Sequence, residues 1–250
     1  MSTFLLVHGA WHSGRAWERV VPLLESAGHR AYAPSLTGYG DKAHLLSPEV
    51  GLETHVADVV GLIREEDLTD VVLVGHSYAG LVISSVANDV PERIAHLVYL
   101  DAMVPEHGET GIDVQPVTQN LIDQAAAAQS ADGNRSNGWR IPPMPELPAP
   151  LGLFGVTDPA DVAWLRGILS DQSARCLQQP VRLDNPAVKS IPRTHIHCVG
   201  TATPEGVTRR PVPPIQPNGS PAQVWSLPTG HDCMITMPAE LTELLLKAGL

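Results

Sequence analysis

The sequence predicts a single α/β domain: a mostly parallel sheet of about six strands flanked by helices, with a helical cap inserted before the next-to-last strand. Three observations carry this. Short aliphatic runs alternate with segments of helical periodicity, and strands separated by helix-length stretches pair in parallel with helices on both faces. The chain has 250 residues, enough for one such domain with a substantial core. From about residue 104 to 190 the alternation stops, and helical and proline-rich sequence takes its place.

Taken in order, Phe4–Val7 is an apolar run that ends at His8 and Gly9. Trp17, Val20, Val21 and Leu24 recur at helical spacing, with Gly28 as a C-terminal stop. Ala31–Pro34 reads as a second strand. Leu52, Val56, Val59, Val60 and Ile63 then form one helical stripe leading to the strand Val71–Val74. His96–Leu100 is the next strand, and His195–Val199 and Gln223–Leu227 are two more, with a closing helix over Ala239–Ala248. These elements divide the chain into a core over 1–103, a helical insertion over 104–190 and a continuation of the core over 191–250. Within the insertion lie a helical piece around Leu121–Gln129, a turn over Asp132–Gly138 and the run Ile141–Pro150. Asp158 before Pro159 starts a further helix, as an N-cap followed by proline in the first turn.

Composition narrows the function. A net charge of −11 with no basic cluster disfavours nucleic acid and anionic lipid, so a neutral small molecule is the expected partner. No stretch reaches the roughly 18 apolar residues of a membrane helix. The start, MSTFLLVHG, reads as a strand and not as a signal peptide, which points to the cytoplasm. Cys176, Cys198 and Cys233 are odd in number and widely spaced, a pattern of reduced thiols and not of a disulfide framework or a thiolate zinc site. The eleven histidines are scattered without H-E-x-x-H spacing, and most are expected at the surface.

The stretch VVLVGHSYAGLVI, Val71–Ile83, carries the chemistry. A strand that turns abruptly into a helix can hold a serine at its apex with the hydroxyl exposed, provided the neighbours are small. Gly75, Ala79 and Gly80 give Ser77 that room, although glycine stands one place later than in G-x-S-x-G. A serine alone is a poor nucleophile and needs a base and oxyanion donors. His231 follows the last strand and precedes the closing helix, where a base belongs. The backbone N–H groups of Tyr78, just after the serine, and Ala10, in the loop after the first strand, are the expected oxyanion donors.

With these residues in place the chain resembles the α/β-hydrolases, and within them the compact group of plant methyl-ester esterases and hydroxynitrile lyases with their bacterial relatives. The likeness rests on FLLVHGAWHSGRAW (Phe4–Trp17), PLLESAGH (Pro22–His29), VLVGHSYAG (Val72–Gly80) and TGHDCM (Thr229–Met234), which lie in order across nearly the whole chain. It implies a Ser77 nucleophile, a His231 base and an active site roofed by the insertion. The family commonly places its acid just beyond the next-to-last strand, but Cys198–Glu205 reads CVGTATPE, without aspartate. Asp101, at the end of His96–Leu100, is the first replacement. Glu205 is the second, and a strand-capping role for Asp101 stays open as a third reading. Hydroxynitrile lyases of the group would carry lysine after the base and threonine after the first-strand histidine, where this chain has Asp232 and Gly9.

The resemblance therefore favours a serine hydrolase of a carboxylic ester or lactone that is small and mainly apolar or aromatic, with no metal or organic cofactor required. Trp11, Trp139, Met144, Phe154 and Trp164 are the candidate pocket residues. A cofactor-free lyase or cyclase and a non-catalytic receptor are the alternatives. The oligomeric state is left open, a homodimer included.

Overall fold

In the computed structural model, residues 1–131, 138–201 and 205–249 are described, so the expected turn at 132–138 lies, but for Gly138, outside them. Strand β1 (Thr3–Val7) is buried at every residue, as a strand covered on both faces must be. It is followed by helix α1 (Val21–Ser26), strand β2 (Arg30–Tyr32), helix α2 (Leu52–Glu65), strand β3 (Val71–His76), helix α3 (Ala79–Asp89) and strand β4 (Ile94–Leu100). The insertion holds α4 (Gly111–Val114), α5 (Val117–Ala131), β5 (Arg140–Ile141), α6 (Pro159–Arg166), β6 (Gln172–Ser173) and α7 (Arg175–Gln178). Strands β7 (Arg193–Cys198) and β8 (Gln223–Leu227) and helices α8 (Cys233–Thr236) and α9 (Pro238–Ala248) complete the chain. The main sheet has six strands in the order β2-β1-β3-β4-β7-β8, every pair parallel.

The two-residue period of the strands divides the core in two. Leu5, Val7, Val71, Leu73, Leu97 and Tyr99 face one cluster, which takes in Val56, Val59 and Ile63 of α2 and Val82 and Val86 of α3. Phe4, Leu6, Val72, Val74, Val98 and Leu100 face the other, with Trp17, Val20 and Leu24 and with Leu241 and Leu245 of α9. Chain direction across the sheet reverses at β1, so the carboxyl ends of β1 and β3 flank the switch point where ligands collect in parallel sheets.

Two expectations need correction. The insertion contains a short antiparallel pair, β5 with β6, in a region expected to lack strands. Only two residues of each strand pair, Arg140 with Ser173 and Ile141 with Gln172, which is too short for any periodic pattern to register. Asp158 behaves as expected, its carboxylate accepting from the Ala160 and Asp161 N–H groups.

The second correction concerns the histidines: His8, His12, His55, His76, His96 and His195 are buried. Fixed partners or ring contacts make this tolerable. His8 donates from Nδ1 to the Gly9 carbonyl and accepts from the Leu36 N–H at Nε2. His55 donates from Nε2 to the Thr37 carbonyl, which leaves Nδ1 to accept from the Tyr78 hydroxyl. His195 stacks on Tyr99 with ring centroids 5.1 Å apart. Burial lowers His8 and His76 to about 3 and His55 and His195 to about 4, so all four are neutral near pH 7.

Candidate active site

Ser77 stands between β3 and α3 with φ at +56°, a conformation that costs a non-glycine residue about 1–3 kcal/mol and holds it at an apex. The turn is fixed from both sides. The Ser77 N–H donates to the Leu100 carbonyl at the end of β4, and its carbonyl accepts from the N–H groups of Gly80 and Met103. A side chain on Gly80 would put its Cβ 1.9 Å from the Met103 carbonyl oxygen, so the close approach in this elbow falls at 80. Ala79 is accommodated where the usual pattern has glycine. The loop after β1 abuts the serine, since a Cβ on Gly9 would lie 2.9 Å from the Ser77 Cβ.

His231 lies in the loop between β8 and α8. Its carbonyl accepts from His76 Nε2 at 3.1 Å, and the two rings are 4.5 Å apart between centroids, so it stands over the strand end that carries Ser77. The insertion presses on this loop, because Gly155 and Gly230 meet backbone to backbone and the Asp232 N–H donates to the Phe154 carbonyl. His231 Nδ1 donates to Asp101 Oδ2 at 2.7 Å. Asp101 is itself at a positive φ of 43°, at the end of β4. Its Oδ1 accepts from the Cys198 N–H at 3.2 Å and from Arg209 at 2.6 Å.

Burial would push the Asp101 carboxyl up, but His231 and Arg209 hold it well below the usual carboxylate range. Burial would likewise lower His231. The hydrogen bond and charge of Asp101, with the charge of Asp232, outweigh it and raise the imidazole to about 9.

A second buried pair lies beside this one. His12 Nε2 and Asp232 Oδ2 are 2.9 Å apart, and His12 Nδ1 is 2.7 Å from the Ala10 carbonyl oxygen. His12 is thus held through both of its ring nitrogens. His12 thereby ties the Ala10 loop to the His231 loop. Among the described residues, His76, His231 and Asp232 bring ligand atoms within 4.8 Å of one another. His231 Nδ1 is engaged by Asp101 and Asp232 Oδ2 by His12, while His76 Nδ1 and Asp232 Oδ1 are buried without a hydrogen-bond partner among the described residues.

The remaining candidates separate. Glu205 is exposed, and the His231 Nδ1 position is filled by Asp101. The Phe154 ring lies 5.8 Å from Trp11, 5.0 Å from His12 and 6.4 Å from His231, so Trp11 and Phe154 gather at the site. Met144 lines a cavity of about 660 Å³ with Pro143, Pro148, Leu153, Arg166 and Leu169. Trp139 is half-buried beside β5, its carbonyl accepting from the Ala174 N–H. The Trp164 ring is covered by the Arg19 guanidinium at 5.4 Å, and Trp164 and Phe154 pack against the same side of the core. The sequence reading missed His12, His76 and Arg209 and used Asp232 only against the lyases. For His76 the usable signal was its place as the last residue of β3, beside Ser77.

The model of the alpha/beta hydrolase family matches residues 4–244. The chain belongs to the α/β-hydrolase family. A carbendazim hydrolyzing esterase of Nocardioides sp. (strain SG-4G) is 37% identical over the full length of both chains. A pyrethroid hydrolase of Sphingobium wenxiniae is 28% identical, over 98% of this hydrolase and 86% of the relative. Among solved structures, an extracellular α/β-hydrolase of a Paenibacillus species, described as sharing structural and functional homology with tobacco salicylic acid binding protein 2, superposes with a TM-score of 0.75. It is 26% identical and is covered over 99% of its length by the whole of this hydrolase. No helix among the described residues is long and apolar enough to cross a membrane.

Proposed function

We propose that this ester-hydrolysing α/β-hydrolase works through Ser77 as nucleophile, His231 as base and Asp101 as acid, beneath a roof formed by residues 104–190. The observation that carries the reading is the 2.7 Å contact of His231 Nδ1 with Asp101, made over the strand end that holds Ser77. Donation from Nδ1 fixes the tautomer in which Nε2 carries the lone pair, the form a base needs. Nε2 takes the Ser77 proton as Oγ attacks the ester carbonyl. The oxyanion is received by the Ala10 and Tyr78 N–H groups, the latter at the amino end of α3, where the helix dipole adds roughly half a positive charge. The imidazolium then gives its proton to the departing alcohol. Water activated by the same ring releases the acid from the acyl-enzyme. Every proton is carried by these side chains, so the scheme requires no metal or organic cofactor.

The substrate is a small carboxylic ester or lactone, mainly apolar or aromatic. The Phe154 ring beside His231, with Trp11 against it, supports an aromatic or flat apolar group there, and the cavity that Met144 lines with Leu153 and Leu169 adds apolar surface. The activities of the carbendazim and pyrethroid relatives accord with that class. The test is fluorophosphonate labelling together with turnover of p-nitrophenyl esters, aromatic methyl esters, lactones, carbendazim and a pyrethroid. Labelling at Ser77 and loss of turnover in S77A are expected. Wild-type turnover in S77A would overturn the scheme, and a labelled serine without ester or lactone turnover would turn it toward lyase or cyclase chemistry.

A further inference from the structure

We propose that Arg209 is a positioning residue for the reaction: its guanidinium pins Asp101 in the orientation that meets His231 and tempers the charge the carboxylate presents to the imidazole. The proposal rests on the Ser77, His231 and Asp101 reading above. Asp101 sits at a strand end with a positive φ and cannot take its place from backbone preference alone. Its side chain is 12% exposed and divides its oxygens between two tasks. Oδ2 faces His231 alone, while Oδ1 accepts from the Cys198 N–H and from Arg209. Arg209 also donates to the Cys198 carbonyl at 3.2 Å, so one guanidinium joins the carboxyl end of β7 to the end of β4. The segment linking β7 to β8 is the one from which the family resemblance leads one to expect an acid. Here it supplies a cation to an acid that has moved to β4.

Such a clamp acts in two ways. It restricts the carboxylate to one rotamer, and misplacement of a catalytic group by about 1 Å can cost roughly 100-fold in rate. It also competes with the imidazolium for the carboxylate's charge, an effect moderated by solvent because the Arg209 side chain is 38% exposed. The other titratable groups facing the pair are Asp232 and His76 beside His231, His197 on β7, and the thiols of Cys198 and Cys233. His76, His197 and Cys233 feel the Asp101 charge, but the side-chain hydrogen bond to Oδ1 comes from Arg209. Removing the guanidinium while leaving these groups in place therefore isolates its contribution.

The experiment follows the His231 ring titration by NMR in wild type, R209Q and R209K, with kcat and kcat/KM for a p-nitrophenyl ester measured over the same pH range. In R209Q the freed carboxylate stabilises the imidazolium more strongly. The midpoint is expected to rise by about half a pH unit or more, with kcat lower by about 10-fold. In R209K the charge remains, so the midpoint stays near wild type, while kcat falls because a shorter, freely rotating ammonium does not hold the fixed position from which the Arg209 Nη2 meets both Asp101 Oδ1 and the Cys198 carbonyl. A midpoint in R209Q equal to wild type overturns the proposal. Should R209Q fail to fold, R209K decides, and wild-type kcat in that variant overturns it. Absence of ester turnover by wild type would instead defeat the proposed function, and the NMR midpoint would still report the hold of Arg209 on Asp101.

Discussion

Asp101 joins a strained backbone, two further donors and the base of the site in one residue, so it is where substitution is most informative. A neutral amide at that place keeps the shape but can no longer stabilise the imidazolium or enforce the Nδ1–H tautomer. D101N is expected to lower kcat on the order of 10³–10⁴-fold, whereas E205Q, at an exposed position, leaves it unchanged. The pH profile gives a second reading. Because His231 is raised to about 9, the neutral base becomes populated only as pH climbs, and kcat/KM of wild type should rise through that range. In D101N the residual activity should reach its plateau at lower pH, nearer the ordinary imidazole value. Rate profiles of the three proteins check both statements. Beside it, the His12–Asp232 pair is buried on both sides, and removal of the carboxylate leaves His12 Nε2 without its buried partner. D232A should cost about 1–3 kcal/mol in urea unfolding.

At the level of elements, the β3–α3 elbow is defined by what surrounds Ser77 more than by the motif that names it. The sequence pattern identified the serine because a strand, a small-residue turn and a helix follow one another locally. It offered no means of saying which small residue is indispensable. That depends on Met103, which comes back against α3 only after β4 has been laid down. G80A should therefore force the 101–103 segment outward, destabilising the protein by about 1–3 kcal/mol and lowering kcat through Asp101. A79G, in a position that already accepts a methyl group, should cost only about 0.5–1 kcal/mol of helix stability. Thermal melts and turnover of the pair make the comparison. The acid was legible only as a choice between Asp101 and Glu205 for the same reason: Ser77 and His231 are marked by local order, but their carboxylate is decided by which strand end the loop after β8 reaches, and that loop passes over β7 to the end of β4. Arg209 and His12 had no local mark, since each acts on a residue about 100 or more positions away.

For the molecule as a whole, the alternation of strands and helices was readable because each apolar stripe reports its own element, whereas the burial of six histidines was not. An imidazole in a loop looks polar until the sheet and insertion close over it. That burial sets the acid limit of the fold. His8, His55, His76 and His195 are held neutral, with values lowered from 6.5 to between about 3 and 4. Below pH 6.5 the unfolded chain takes up protons on these rings and the folded chain does not, so stability present above that value is lost as pH falls. Each group contributes up to about 1.4 kcal/mol per pH unit, and the four together roughly 5 kcal/mol per unit at most. His231, with its raised value, works in the opposite sense: its contribution is complete below 6.5 and is lost progressively as pH rises from there to about 9. Asp101 and Asp232, both lowered, begin to lose theirs only near and below the ordinary carboxylate range. Against a net stability of about 5–15 kcal/mol, the histidine term alone should carry the protein from full stability near pH 7 to unfolding within about two to three pH units. Melting temperatures recorded from pH 4 to 9 should thus be highest near neutrality, fall steeply below about pH 6 and decline more gently toward pH 9. A melting temperature that stays flat down to pH 4.5 would mean that the rings are reached by water or already charged in the folded state.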